Sequence, residues 1–436
     1  MRKWILSFII VVLAISSVGA GEFRFTDDVQ KVQLSNGITV LIKENPAFDI
    51  VSMVLLSNVG SIHDPVDKAG LTSLTQESIM KGTRYLNQQD LALALESQGV
   101  HMAAQTSYEM AALVFQSTTD RFASGIQLFW DVLKYPSFPE SEVEWAQQLA
   151  YYNVLSLMDQ PTNEVVLAFL EEFYGETGYS RSPLGSLETI PNLTRDDVVE
   201  WYSVIYQPQN LVMAIVGNVD TAEVVDLLER EIGQWQPSAP SNRLTPNTVE
   251  FASPTQSSQR LMNKPTQAAW MILGFPAPSA MEEDGASMAV LNAVLGGGMG
   301  SRLFTEVRDE RGLAYIIMSE YAPNYGPSHI LAFLGTHPST VDEARRQVLE
   351  QFYRFIQEEL SDEDLQRAIT LVRGQYLMES ETNLSQAVVL ASNELLGPGY
   401  EWADQYPQLI SGVTKMDVQK AAEKYFGAYI EALLLP

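Results

Sequence analysis

The chain contains no cysteine among its 436 residues. Disulfide bonds and thiol nucleophiles are therefore excluded, and an oxidising compartment would impose nothing on the fold. Histidine is scarce: the four are His63, His101, His329 and His337, and no two have the H-x-x-H or H-x-x-x-H spacing of a metal-binding pair. We interpret them as scattered surface or hydrogen-bonded residues, so we expect no metal site built on histidine.

Positive charge is also in short supply, with 27 Lys and Arg against 54 Asp and Glu and a formal net charge of −27. A surface this acidic repels nucleic acid and anionic lipid, so we expect no nucleic-acid partner. It would attract basic peptides, or it would simply keep the protein soluble. No Gly-x-Ser-x-Gly motif and no phosphate-binding Gly-Lys-Ser/Thr loop is present, which removes two further classes of enzyme.

One long apolar run stands at the N-terminus, from Trp4 to Ile15. Arg2 and Lys3 precede it, and small residues ending at Ala20 follow. This order predicts a signal peptide over residues 1–20, whereas an uncleaved anchor is the alternative. The run is short for a membrane span, so we expect no membrane anchor after cleavage. We expect export, to a bacterial periplasm first and to the outside second.

The remaining chain divides around a segment rich in proline and small polar residues, Gln236 to Asn247. We predict an N-terminal lobe over residues 21–235, a linker over 236–250 and a C-terminal lobe over 251–436.

The two lobes look duplicated. Glu142 to Tyr179 and Glu363 to Tyr400 are both 38 residues long, and each reads as a long helix, a polar break, a second helix and a Gly-Tyr ending. Apolar alternation and turn signals predict an α+β fold, with a sheet in each lobe covered on one face by helices.

The segment from Leu295 to Tyr315, LGGGMGSRLFTEVRDERGLAY, carries the most specific pattern. A helix ending near Arg311, a break at Gly312 and a strand starting near Leu313 would aim Arg308 and Tyr315 into one cleft. A guanidinium and a phenol placed there could hold a peptide carbonyl.

This string resembles the substrate-binding Arg/Tyr box of pitrilysin/insulinase-type zinc peptidases. In that family the first half carries an inverted zinc motif, H-x-x-E-H. Gly70 to Thr83, GLTSLTQESIMKGT, fits the surrounding frame. The active positions hold Ser73, Gln76 and Glu77, however, and the third-ligand position aligns with Asn153.

The resemblance implies two metallopeptidase-type lobes, each with a mixed, mostly antiparallel sheet, arranged as a clam shell. It implies that Arg308 and Tyr315 bind the substrate backbone and that Tyr315 stabilises the oxyanion. It makes the glycine run a flexible break beside the cleft; its members are Gly296, Gly297, Gly298 and Gly300. The alternative is structural: Arg308 could pair with Glu306 or Glu310, and Tyr315 could belong to the core.

The resulting hypothesis is a non-catalytic, substrate-binding subunit of a heterodimeric zinc endopeptidase. It needs no cofactor in this chain, zinc in a homologous H-x-x-E-H subunit, and extended peptides as substrates. The alternative is a pseudoenzyme that serves as a peptide-binding or assembly scaffold.

Overall fold

The computed structural model describes residues 24–239 and 249–436, which form two lobes, each built on one mixed β-sheet. The first sheet has six strands in the order β1-β2-β6-β3-β5-β4. All its pairs are antiparallel except β2 with β6. The strands are β1 Val29–Gln33, β2 Thr39–Glu44, β3 Ile50–Ser57, β4 His101–Thr106, β5 Ala111–Thr118 and β6 Leu211–Gly217.

The second sheet has five strands in the order β7-β11-β8-β10-β9, with a single parallel pair, β7 with β11. The strands are β7 Ser258–Asn263, β8 Ala269–Ala277, β9 Ile316–Ala322, β10 Ser328–Thr336 and β11 Ile430–Leu435. Setting β1 aside, the two sheets share one topology, because β2, β6, β3, β5 and β4 correspond in order to β7, β11, β8, β10 and β9.

Thirteen α-helices and one π-helix of the described residues surround the sheets. The first lobe has α1 Leu71–Ile79, α2 Gln88–Ser97, α3 Thr119–Lys134, α4 Glu140–Met158, α5 Pro161–Tyr174, α6 Arg195–Ile205 and α7 Thr221–Ile232. The second has α8 Gly285–Leu295, the π-helix Leu303–Glu310, α9 Val341–Gln357, α10 Asp362–Glu379, α11 Asn383–Leu396, α12 Trp402–Gly412 and α13 Lys415–Tyr425. The duplicated segments are α4 with α5 and α10 with α11, each a helix pair as predicted.

The sheets are covered on both faces, which corrects the expectation of one covered face. Each lobe packs its own helices on one face of its sheet. The other face takes a helix from the opposite lobe. Phe169 of α5 lies in an apolar cluster with Ile272 and Leu331 of the second sheet, and Leu390 of α11 packs against Val54 and other side chains of the first.

Two predictions fall wholly or partly outside the described residues. The signal peptide over 1–20 lies outside them, as do residues 240–248 of the predicted linker. The described linker residues, 236–239 and 249–250, contain no helix or strand. Among the described residues, no helix combines the length and the apolar character needed to cross a bilayer.

Candidate functional site

Helix α1 carries three of the positions that the resemblance assigns to zinc chemistry. Its start is fixed by Asp64, whose buried carboxylate accepts hydrogen bonds from the backbone N–H groups of Gly70 (2.9 Å) and Thr72 (3.0 Å). Gly70 has φ +94°, a conformation that favours glycine, and leads the chain into the helix. The frame of the family's zinc motif is therefore kept as a structural element.

Gln76, at the position that the resemblance assigns to the catalytic base, is buried, and both its amide nitrogen and its amide oxygen are hydrogen-bonded. Its amide Nε2 donates to the carbonyl oxygens of Gln105 (3.0 Å) and Ala112 (2.9 Å), which join α1 to the β4–β5 hairpin. Its Oε1 accepts a hydrogen bond of 2.6 Å from the Tyr206 hydroxyl. An amide cannot accept a proton from water at neutral pH, and the Gln76 amide is already engaged in hydrogen bonds that hold α1, the β4–β5 hairpin and Tyr206 together.

The other three positions are not arranged as zinc ligands. The Ser73 hydroxyl donates to the carbonyl of Pro183 at 2.6 Å. Glu77 forms an ion pair with Lys81, one turn further along α1. Asn153 lies exposed on α4, and no hydrogen bond of the described residues joins it to these side chains.

Nowhere in the described part of the chain do three or more His, Cys, Asp or Glu side chains form a group able to hold a metal ion. The four α1 and α4 positions therefore do not fit zinc.

Arg308 lies on the π-helix, a rare geometry that is often associated with functional sites. Its half-buried guanidinium stacks over the Phe304 ring, 4.4 Å from the centroid. It forms no ion pair within residues 24–239 and 249–436. Glu306 instead forms an ion pair with Arg354, with 2.8 Å between Oε1 and Nη1. The Oε2 atom of Glu310 lies 3.9 Å from Nη1 of Arg311. Within the described residues, Arg308 therefore forms neither of the two ion pairs that the structural alternative requires.

Tyr315 is 61% exposed, so it is not a core residue. Its backbone N–H donates to the carbonyl of Gly335 at 2.9 Å, which fixes the chain while leaving the phenol in solvent. The strand begins at Ile316 and not near Leu313, because Gly312 turns the chain at φ +63° and the Leu313 N–H still donates to the carbonyl of Val307 in the π-helix at 3.1 Å.

The same turn occurs in the first lobe. Gly99 also has φ +63° and stands between α2 and the edge strand β4, as Gly312 stands between the π-helix and the edge strand β9. Both lobes thus share a helix–turn–strand unit, and in the second lobe Arg308 and Tyr315 lie on either side of its turn. No hydrogen bond joins the two side chains in the described residues.

The glycine run connects α8 to the π-helix. Gly296 is buried against β9: a Cβ there would lie 2.3 Å from the backbone nitrogen of Ser319. Gly298 and Gly300 are exposed, with no neighbouring atom within 4 Å of an added Cβ. One end of the run is thus packed on β9, and the other is open to solvent.

A cleft of about 540 Å³ lies between the lobes, and most of the residues that line it were not anticipated from the sequence. At its floor, Nδ1 of the buried His329 lies 2.7 Å from the hydroxyl of Tyr174. Burial lowers the pKa of His329 to about 4 and raises that of Tyr174. Nearby, the Tyr179 hydroxyl donates to Glu109 at 2.5 Å. The one sequence signal was Tyr179, which ends the first duplicated segment.

Comparison with known proteins gives two adjoining family matches. Residues 39–186 match insulinase (peptidase family M16), and residues 192–372 match the peptidase M16 inactive domain. An uncharacterized zinc protease of Streptomyces coelicolor is 26% identical over 408 residues, which cover 92% of this chain and 87% of that protein.

Solved structures show the same fold. A peptidase M16 inactive domain from Pseudomonas fluorescens superposes with a TM-score of 0.85 at 20% identity, covering 94% of this chain and 98% of that one. The periplasmic protease PqqL of Escherichia coli has a TM-score of 0.81 at 16% identity; the match takes in 100% of this chain but 49% of PqqL. With both lobes matched and the fold shared, the chain belongs to the pitrilysin/insulinase-type (M16) peptidase family.

Proposed function

We propose that this protein is the substrate-binding, non-catalytic subunit of a heterodimeric zinc endopeptidase. The observation that carries the proposal is a contrast between two sites. Gln76 is buried, and its amide is engaged in structural hydrogen bonds. In contrast, Tyr315 is exposed and Arg308 is half-buried, and Arg308 has no ion pair within the described residues.

A second unit of similar size would supply the chemistry. This chain corresponds to about half of PqqL, whose fold it shares. In our proposal the other half is a separate, homologous H-x-x-E-H subunit. Its zinc would activate the water that attacks the peptide bond.

The residues of this chain would act on the substrate. The Arg308 guanidinium would donate hydrogen bonds to a backbone carbonyl of an extended peptide. The Tyr315 phenol would donate to the oxygen that becomes negatively charged when the scissile carbonyl is attacked. Such a division loses nothing chemically, because catalysis depends on the positions of the groups and not on their being in one chain. We further propose that the protein works after export, in the periplasm.

The test is peptidase activity on a library of quenched fluorescent peptides, with metal analysis. Three samples are compared: this protein alone, an H-x-x-E-H homologue from the same organism alone, and the two mixed. Turnover only in the mixture, with zinc only in the homologue, supports the proposal. Zinc and turnover in this chain alone contradict it. A stable complex with no turnover would contradict the proposal and favour the alternative, a pseudoenzyme that serves as a scaffold.

A further inference from the structure

Within the cleft between the lobes, strand β9 and helix α5 form the two walls of a groove. Strand β9 contributes Met318 and Glu320, and α5 contributes Val166 and Phe169. Phe333 of β10 forms part of the floor. We call this set the interlobe groove.

The groove is apolar and accessible. Met318 is 42% exposed and Val166 is 36% exposed, although both face a cavity large enough for a bulky side chain. Phe333 stacks on Trp270 with ring centroids 5.6 Å apart, which gives the floor a rigid aromatic base. An apolar group placed here would be removed from water on several sides.

One charged side chain lines the groove, and it has no cation of its own. Glu320 is exposed, and its carboxylate forms no ion pair or hydrogen bond in the described part of the chain. The net charge of −27 reinforces its negative field. A ligand with a positive charge near an apolar group therefore complements the groove.

The ligand would lie on the face of the sheet and not at its edge. Gly296 sits against the outer edge of β9, with its carbonyl 3.5 Å from the Ser319 nitrogen, so a peptide cannot add there as a further strand without displacing it. Met318 and Glu320 both point into the groove, about 6.7 Å apart along the strand. An extended peptide would match them with side chains two residues apart.

We propose that the interlobe groove binds an extended peptide with a large apolar side chain and, two residues away, a Lys or Arg. The apolar side chain lies among Val166, Met318 and Phe333, and the basic one meets Glu320. This inference rests on the proposed function for its ligand class, since it names the peptides that the subunit would select. Binding to the groove itself requires neither zinc nor a partner subunit.

The experiment measures the fluorescence anisotropy of dye-labelled nine-residue peptides with this protein alone. One peptide carries Phe and Lys two residues apart; in the others Ala replaces Phe, or Glu replaces Lys. We expect the Phe–Lys peptide to bind about tenfold more tightly than its Ala counterpart, as burial of a large apolar side chain predicts. Val166→Trp would fill the groove from an exposed helical position and weaken that binding by a similar factor.

Val388→Trp is the matched control, because Val388 is also 36% exposed and lies on the corresponding helix α11, away from the groove. It should change binding by less than about twofold. Glu320→Gln should remove a preference of about twofold to fivefold for Lys over Glu in the peptide. Equal affinities for the Phe and Ala peptides, or equal losses in both Trp variants, would overturn the proposal. Because no turnover is measured, these results are separate from the fate of the heterodimer.

Discussion

At the scale of single residues, Gln76 has a structural role at the position that the resemblance assigns to the catalytic base. Its amide nitrogen points at two carbonyl oxygens, those of Gln105 and Ala112. A carboxylate in the same place would face both oxygens without a proton to share, inside the protein. The glutamine thus fits the hairpin better than the glutamate that the chemistry would require.

Gln76→Glu should therefore destabilise the protein by about 3 kcal/mol, the cost of a buried charge facing acceptors. Urea unfolding near neutral pH would measure it, and part of the loss should be recovered at a pH where the new carboxyl is protonated. Gln89→Glu, exposed on α2, is the control and should change stability by less than about 0.5 kcal/mol. Equal effects of the two substitutions would contradict this account of the site.

His329 makes stability depend on pH. In the folded protein burial lowers its pKa to about 4 from the usual 6.5, so between these values the unfolded chain binds more protons. The part of the unfolding free energy that depends on neutral His329 is fully present above pH 6.5. It is lost as the pH falls towards 4, by up to about 3 kcal/mol. Unfolding free energies at several pH values should show this loss in the wild type and not in His329→Gln. His101→Gln, at an exposed position, should keep it.

Residue-level chemistry was only partly predictable from the sequence. Arg308 and Tyr315 stand in a long, specific string, and the role that the resemblance implies for them stays a prediction. His329 and Tyr174 are 155 positions apart, and nothing local marks them as partners. Their contact depends on the packing of α5 across the lobes.

At the scale of elements, the glycine run gives a direct comparison between two neighbouring positions. Gly296→Ala would place a Cβ 2.3 Å from the Ser319 nitrogen and must push β9 or α8 aside. We expect a loss of about 1–3 kcal/mol from such overpacking. Gly298→Ala meets no atom within 4 Å and should be neutral or slightly stabilising. Thermal unfolding of the two variants measures the difference, and an equal cost would show that Gly296 is not packed on β9.

Some elements with strong apolar patterns were predictable from the sequence. The apolar pattern of the sequence predicts a helix over residues 88–97 and a strand over 111–117, and the structure has α2 Gln88–Ser97 and β5 Ala111–Thr118. Strand β7 is mostly exposed and polar, so it gave no periodic signal and was missed. The sequence of β6, LVMAIVG, is apolar throughout, and every one of its residues is buried. A continuous apolar run is typical of strands that are covered on both faces. This run was the overlooked sign of the second helical layer.

At the scale of the whole molecule, the exchange of α5 and α11 ties the lobes into one unit. Each helix fills the open face of the other lobe's sheet, so neither sheet keeps its apolar face covered if the lobes separate. Sequence reasoning found the duplication but not the exchange, because equal helix pairs in two lobes do not reveal which sheet each one covers.

Leu390→Ala should therefore destabilise both lobes together, by about 2–5 kcal/mol for a fully buried leucine. Hydrogen exchange should show protection falling in β6 and β8 alike, with a single unfolding transition. Leu377→Ala, 61% exposed on α10, is the control and should have little effect. Two separate transitions, or a loss confined to the first sheet, would mean that the lobes are independent.

The central claim is that Tyr315 completes the active site of a partner subunit. Its most direct test is the turnover of the mixed subunits with Tyr315→Phe, compared with Tyr85→Phe, since both tyrosines are 61% exposed. Loss of an oxyanion donor predicts a drop in kcat of about 10²–10³-fold for Tyr315→Phe, with the complex still formed. Tyr85→Phe should keep full turnover. Wild-type turnover in the Tyr315→Phe mixture would contradict the account.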